Sequence, residues 1–257
     1  MLMLAAYFDD SGTHDGSKLV VWGGFIGTAE QWSGFDKAWR TKLARPLPSK
    51  SRLTKFGLAD CEGHHGEFAG YSTAQSDLLQ NECRELIVQA GVIGLAYAVE
   101  RECWDRLVQG AAREFFGGDA EAACFSACFN GAVERAARFF PDDLMLSVHF
   151  DRGRKSPKLD TLIDRATKSY RGSPAIVNLS YNRVIDFTPL QAADIIATEN
   201  YWHASSVIAG NDDAKPRPHF FHFLQRVKAT NGYLAQEQEI LDTLKKHGFS
   251  HPSSEAS

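Results

Sequence analysis

Residues 190–197, Leu-Gln-Ala-Ala-Asp-Ile-Ile-Ala, carry only two polar side chains, and a helix that is apolar on nearly every side has to be covered on nearly every side. Thr188, Pro189 and Gln191 ahead of it read as a capping-box start with proline at the first helical position. Asp194 shares a helical stripe with Leu190, Ala197 and Tyr201, so it cannot avoid burial. An ionised carboxylate in that position is costly unless a cation or hydrogen-bond donors meet it. A buried ion pair with Arg or Lys is one solution, and a metal ion is another.

Two more carboxylates stand where apolar strands stop. Residues 3–9 and 18–26 read as two strands of a hairpin, joined by a turn that opens with Asp9-Asp10-Ser11-Gly12. Asp-Ser-Gly is ordinary turn chemistry, and a turn alone would explain it. Residues 144–150 alternate, with Leu144, Leu146, Val148 and Phe150 on one face, and this strand also ends in an aspartate, Asp151. If the two strands are parallel neighbours, Asp9 and Asp151 come to one edge of the sheet.

The rest of the pattern alternates helix and strand. Trp32, Phe35, Trp39 and Leu43 recur at helical spacing over 29–43, and Pro46 and Pro48 end that run. A short strand is expected over 55–59, helices over 72–89 and 120–140, and a strand over 92–99. A basic helix over 157–169 precedes a strand over 175–185, and two helices near 219–227 and 234–247 come last. The fold class is therefore α/β, a mixed sheet flanked by helices. Residues 1–207 form the main domain, and 208–257 a small C-terminal appendage of loop and helices with a disordered tail.

Three carboxylates from two strand ends and one helix, with no His or Cys beside them, make a hard oxygen site. Such a site suits Mg²⁺ or Mn²⁺ and disfavours zinc. Paired ions roughly 3.5–4 Å apart activate a water and steady the leaving oxygen in an in-line attack on a phosphodiester. Asp9, Asp151 and Asp194 are thus the candidate catalytic and metal-binding residues. Asp10 is the further ligand, and Asp60, Glu67, Asp186 and Glu199 compete with it for a fourth position. Glu199 lies about 140° round the helix from Asp194 and faces elsewhere. Seven Lys or Arg residues fall between Arg152 and Arg171, directly after Asp151, and Arg152, Arg154 and Lys155 are placed to hold phosphates, with Ser11 beside the carboxylates completing the substrate-binding set. A second basic run between Lys37 and Lys55 holds seven Lys or Arg and no acid; such runs are commonly solvated faces.

Composition narrows the function classes. A length of 257 residues and 44% hydrophobic content suit a sizeable core, and a formal net charge of −4 argues against a protein that coats nucleic acid non-specifically. The five cysteines are odd in number and scattered, so neither a disulfide framework nor a zinc ribbon is expected, and the compartment read from them is a reducing cytoplasm. The apolar start, Met-Leu-Met-Leu-Ala-Ala-Tyr-Phe, has no basic leader and breaks at Asp9, so it reads as a first strand rather than a signal peptide or a membrane span.

In their order along the chain, FDDSG at 8–12, VWGGFIG, the Trp-bearing helix after it, KFGLAD with GEF at 66–68, HFD at 149–151 and LQAAD at 190–194 resemble the family called domain of unknown function 3800. The resemblance covers roughly residues 4–205. It implies a ribonuclease H-like fold and a metal-dependent nuclease acting on DNA or RNA, with Asp9, Asp151 and Asp194 as ligands. Asp10 stands where the family usually has Glu, and Gly57 where it usually has His. Two rival readings remain: a ribonuclease H-like adaptor without catalysis that binds nucleic acid or protein, and a metal-dependent adhesion module, since FDDSGT matches Asp-x-Ser-x-Thr. The second requires a helix directly after the motif, where residues 19–26 read as a strand.

Overall fold

Alternation in the first apolar run sends Leu4, Ala6 and Phe8 to one side and Ala5 and Tyr7 to the other, each side into its own apolar cluster. This two-faced segment is strand β1 (Leu2–Ser11), and a strand with apolar residues on both faces belongs inside a sheet. In the computed structural model, which describes residues 2–14, 16–140, 144–151, 160–161, 175–211 and 214–249, β1 lies in a six-stranded sheet of order β5-β4-β1-β2-β3-β6. β2 (Leu19–Thr28) and β3 (Ile93–Glu100) extend it as an antiparallel meander. β4 (Leu144–Asp151) pairs parallel to β1, β5 (Ala175–Asn182) parallel to β4, and β6 (Lys228–Ala235) parallel to β3.

Helices cover both faces. On one lie α4 (Arg101–Leu107), α5 (Gly110–Phe115), α6 (Ala120–Phe139) and α9 (Glu237–Lys246), around a core that includes Phe8, Trp22, Phe125 and Phe150. On the other lie α1 (Ala29–Ala44), α3 (Thr73–Ala90), α7 (Thr188–Ile208) and α8 (Pro218–Arg226), around Phe25, Trp32, Trp39, Phe56 and Ile195. Capping boxes at Thr28/Gln31 and Ser72/Gln75 start α1 and α3. Among the described residues no helix is long and apolar enough to cross a membrane.

Four expectations change. No strand forms over 55–59: the backbone N–H groups of Phe56 and Leu58 donate to Gln191 and Asp194 on α7 instead of to a ladder, and a short helix, α2 (Leu58–Glu62), follows. No capping box starts α7. Its N-cap is Phe187, without a side-chain bond, the Thr188 hydroxyl donates to Asp36 at 2.7 Å, and Gln191 is drawn inward by other donors. The C-terminal stretch is no appendage, because β6 lies in the main sheet and Ile240 and Leu244 of α9 enter the same core as Phe8. Finally, β5 stops at Asn182 rather than at 185. The helix read over 157–169 falls, except for 160–161, outside the described residues, as does the tail read as disordered from 251.

Candidate functional site

β1 and β4 run parallel in a register that pairs Leu2 with Leu144 and Phe8 with Phe150, so Asp9 and Asp151 follow side by side at the carboxyl ends of the two strands. Phe8 and Phe150 stack at 6.0 Å on the α6 face. Alternation therefore turns Asp9 and Asp151 to the α7 face, where Tyr7 and His149, two residues earlier, stack at 4.6 Å. Asp9 is buried, and its Oδ1 accepts the backbone N–H of Asp10 at 2.9 Å.

The third carboxylate arrives on α7, whose Ala192, Ala193, Ile195, Ile196 and Ala197 are all fully buried. Small residues set how near it comes. Gly23 of β2 sits opposite Asp9 in the register, and a Cβ placed there would lie 3.0 Å from the backbone of Ala197, one turn beyond Asp194. With hydrogen at that position the helix crosses directly above the strand pair that carries Asp9. Asp194 makes no ion pair with Arg or Lys among the described residues. Its Oδ2 accepts the Leu58 N–H at 2.6 Å at the start of α2, and its Oδ1 the Thr198 hydroxyl at 3.4 Å.

The charges feel one another. The Asp9 carboxyl is held well above its ordinary range, first by burial, then by the charges of Asp194 and Asp10, with Asp151 contributing further and the Asp10 N–H opposing. Burial raises the Asp194 carboxyl to about 6, against the Leu58 and Thr198 hydrogen bonds; Asp60 raises it further and Lys55 lowers it. Asp194 and Asp151 thus both act on the Asp9 carboxyl at the junction of β1, β4 and α7. Among the described residues, however, no three His, Cys, Asp or Glu side chains already converge on a point where one metal ion would sit.

The other candidates separate. Alternation sends Asp10 to the α6 face, where the Thr13 hydroxyl donates to it at 2.5 Å and its charge is felt by Cys124. Its backbone N–H donates to Asp9, while its charge adds to the rise of the Asp9 carboxyl. Ser11 closes β1 opposite Val21. Asp60 stands near Asp194 and pairs with Lys55 at 3.7 Å. Glu67 holds the Thr54 N–H and hydroxyl, and Asp186 pairs with Arg183 at 2.6 Å. Glu199 faces away from Asp194 as expected and is buried between the Arg84 and Arg217 guanidinium groups. Arg152, Arg154 and Lys155 lie outside the described residues. In the earlier basic run, Arg40, Lys42 and Lys55 pair with Asp36, Glu82 and Asp60, and Lys50 lies over the Tyr71 ring, so much of that charge is already committed within the fold. β2, not a helix, follows FDDSGT, so the requirement of the adhesion reading is not met.

Two groups of residues escaped the sequence reading. On the face that carries Asp151, His149 bonds Ser147 at 2.8 Å and Ser180 at 2.9 Å, with Asn182 at 2.9 Å, and burial pushes its imidazole down to about 4, so it is neutral at physiological pH. The signal was present: with Leu146, Val148 and Phe150 on one face, Ser147, His149 and Asp151 had to share the other. Gln191 is the second. Its Oε1 accepts from Trp39 Nε1 at 2.9 Å and Phe56 N at 2.8 Å, while its Nε2 donates to Val184 O at 3.0 Å. It thereby fastens α1 and the 51–57 loop to α7, and the loop delivers Leu58 to Asp194. No family model matches this sequence, and no curated protein matches it.

Proposed function

We propose that this protein is a metal-dependent nuclease of ribonuclease H-like fold and a member of the family called domain of unknown function 3800, with Asp9, Asp151 and Asp194 holding Mg²⁺ or Mn²⁺. The fold reading is supported by the sheet: an antiparallel β1-β2-β3 meander with two strands added parallel to β1, in the order β5-β4-β1-β2-β3, is the arrangement such a domain requires. The observation that carries the functional reading is the parallel register that sets Asp9 and Asp151 side by side at the strand ends, with α7 crossing close above β2 beside Asp9; burial, and then the charges of Asp194, Asp10 and Asp151, raise the Asp9 carboxyl. Buried like charges with hard oxygen donors are the chemistry that a divalent cation neutralises.

When bound at such carboxylates, a divalent ion lowers the pKa of a water and neutralises charge on a leaving oxygen. The chain's own contribution is to keep the carboxylates aimed. The Asp10 N–H fixes the Asp9 carboxylate, and the Leu58 N–H and Thr198 hydroxyl fix Asp194. Arg152, Arg154 and Lys155, next in sequence after Asp151, are assigned to the flanking phosphates.

The test is a panel of single- and double-stranded DNA, RNA and hybrid substrates with Mg²⁺ and with Mn²⁺. Cleavage should stop with EDTA, Asp151→Asn should abolish turnover and leave binding intact, and replacing Arg154 and Lys155 by Ala should weaken binding and flatten its salt dependence. Cleavage that persists in Asp151→Asn refutes the assignment. The adaptor reading makes the opposite prediction for the same panel. Binding without cleavage of any substrate selects it.

A further inference from the structure

On the sheet face opposite the three carboxylates, α6 and α9 stand apart over β3 and β6 and leave a cavity of about 520 Å³ between them. Its deepest surface comes from Val99, Trp104 and Val108, all buried, and the Tyr97 and Tyr233 rings, 5.9 Å apart, lead outward from there. Ala127 and Val133 of α6 face Ile240 and Leu244 of α9 across it. The charged and amide groups are confined to the mouth, where Asn130 and Glu134 on α6 oppose Lys246 on α9, all three exposed.

The hollow opens to solvent on the side of Asn130, Glu134 and Lys246, and its apolar inner walls offer a water few of the partners it needs. The volume falls in the range of small-molecule sites, about 300–1,000 Å³, which share an apolar lining with a few polar groups at fixed points. We propose that the cavity binds a small aromatic molecule, its ring system seated between Tyr97, Trp104 and the α9 leucine Leu244, and its polar end at the mouth between Glu134 and Lys246. A carboxylate and an ammonium on opposite walls suit an end that carries both a donor and an acceptor. The site is separate from the carboxylates by the full thickness of the sheet, so it stands or falls independently of the nuclease reading.

The probe is N-phenyl-1-naphthylamine, an apolar two-ring fluorophore with a single N–H, titrated into the full chain. The expected result is a saturable one-site rise in fluorescence, with energy transfer when tryptophan is excited. Ala127→Trp fills the space between α6 and α9 and should weaken binding by about tenfold or more. Ala127→Leu, a smaller addition at the same point, should weaken it to a lesser degree, and this variant decides the matter if Ala127→Trp does not fold. A signal that never saturates marks surface adsorption and overturns the proposal. So does affinity unchanged by a folded Ala127→Trp or by Ala127→Leu.

Discussion

Replacing Asp194 by Asn should make the metal-free protein more stable at neutral pH and remove part of its pH dependence. The magnitude follows from the rise of the carboxyl from 3.8 to about 6. At 1.36 kcal/mol for each pH unit, that rise corresponds to about 3 kcal/mol, and partial solvent access brings the expectation to about 1–3 kcal/mol. The sign is that of a raised carboxyl. Below pH 3.8 the group is protonated in both folded and unfolded chains and carries no penalty. As the pH climbs from there to about 6, the unfolded chain gives up the proton while the folded one keeps it, so stability falls steadily, and above about 6 the loss is complete. The asparagine variant has nothing to ionise at this position, yet its side-chain oxygen still accepts the Leu58 N–H, so the anchoring of α2 survives. Removing the charge also relieves Asp9, which feels Asp194 more than any other charged group. The assay is urea denaturation of both proteins at pH 4 and at pH 7.5 with EDTA present. The unfolding free energy of the variant minus that of the wild type should grow by about 1–3 kcal/mol between the two. A difference that stays constant, or that turns against the variant as the pH rises, would refute the reasoning and leave Asp194 a well-solvated carboxylate.

Gln191→Leu should cost about 3 kcal/mol or more in thermal or urea unfolding, because the Trp39 Nε1, Phe56 N and Val184 O groups lose their partner together. Glu199→Ala should cost about 3–5 kcal/mol, since it leaves Arg84 buried without its counter-ion, while Glu237→Ala, which breaks an exposed pair with Arg106, should shift the unfolding midpoint far less in the same denaturation assay. Gly23→Ala pushes a methyl group toward the Ala197 backbone at 3.0 Å and should cost about 1–3 kcal/mol. Because it lifts α7 above Asp9, it should also weaken Mn²⁺ binding in calorimetry, which an equally destabilising change remote from α7 would leave alone.

Much of the frame was legible because it rests on periodicity. Trp32, Phe35, Trp39 and Leu43 gave α1 to within a residue, and all four are buried as the spacing required. The alternation over 144–150 placed Asp151 at the end of a strand, and the apolar character of 190–197 buried Asp194's neighbours. What escaped has long-range causes. The segment at 55–59 has strand-like composition, but its backbone donors are claimed by two side chains more than a hundred positions later. Residues 228–235, Lys-Ala-Thr-Asn-Gly-Tyr-Leu-Ala, fall in the sequence reading between the helix near 219–227 and the start of the helix near 234–247. They form a strand because the open edge of β3 offers a parallel partner that no local pattern announces.

The placement of Asp194 above Asp9 was half visible, and the missing half is instructive. The apolar helix over 190–197 and the Gly23-Gly24 pair stand far apart in the sequence, the one reading as a buried helix and the other as part of a strand. Gly23 has no side chain and Ala197 only a methyl group, so these two positions can meet backbone to backbone, and the close approach replaces the missing side-chain volume. The structure pairs Ala197 with Gly23, and the strand register then carries the contact one step sideways to Asp9. Read together, those two stretches would have identified which strand α7 crosses and at what level. Asp194 stands one helical turn before Ala197, so it is carried toward the end of β1, where Asp151 lies level with Asp9 on the neighbouring strand.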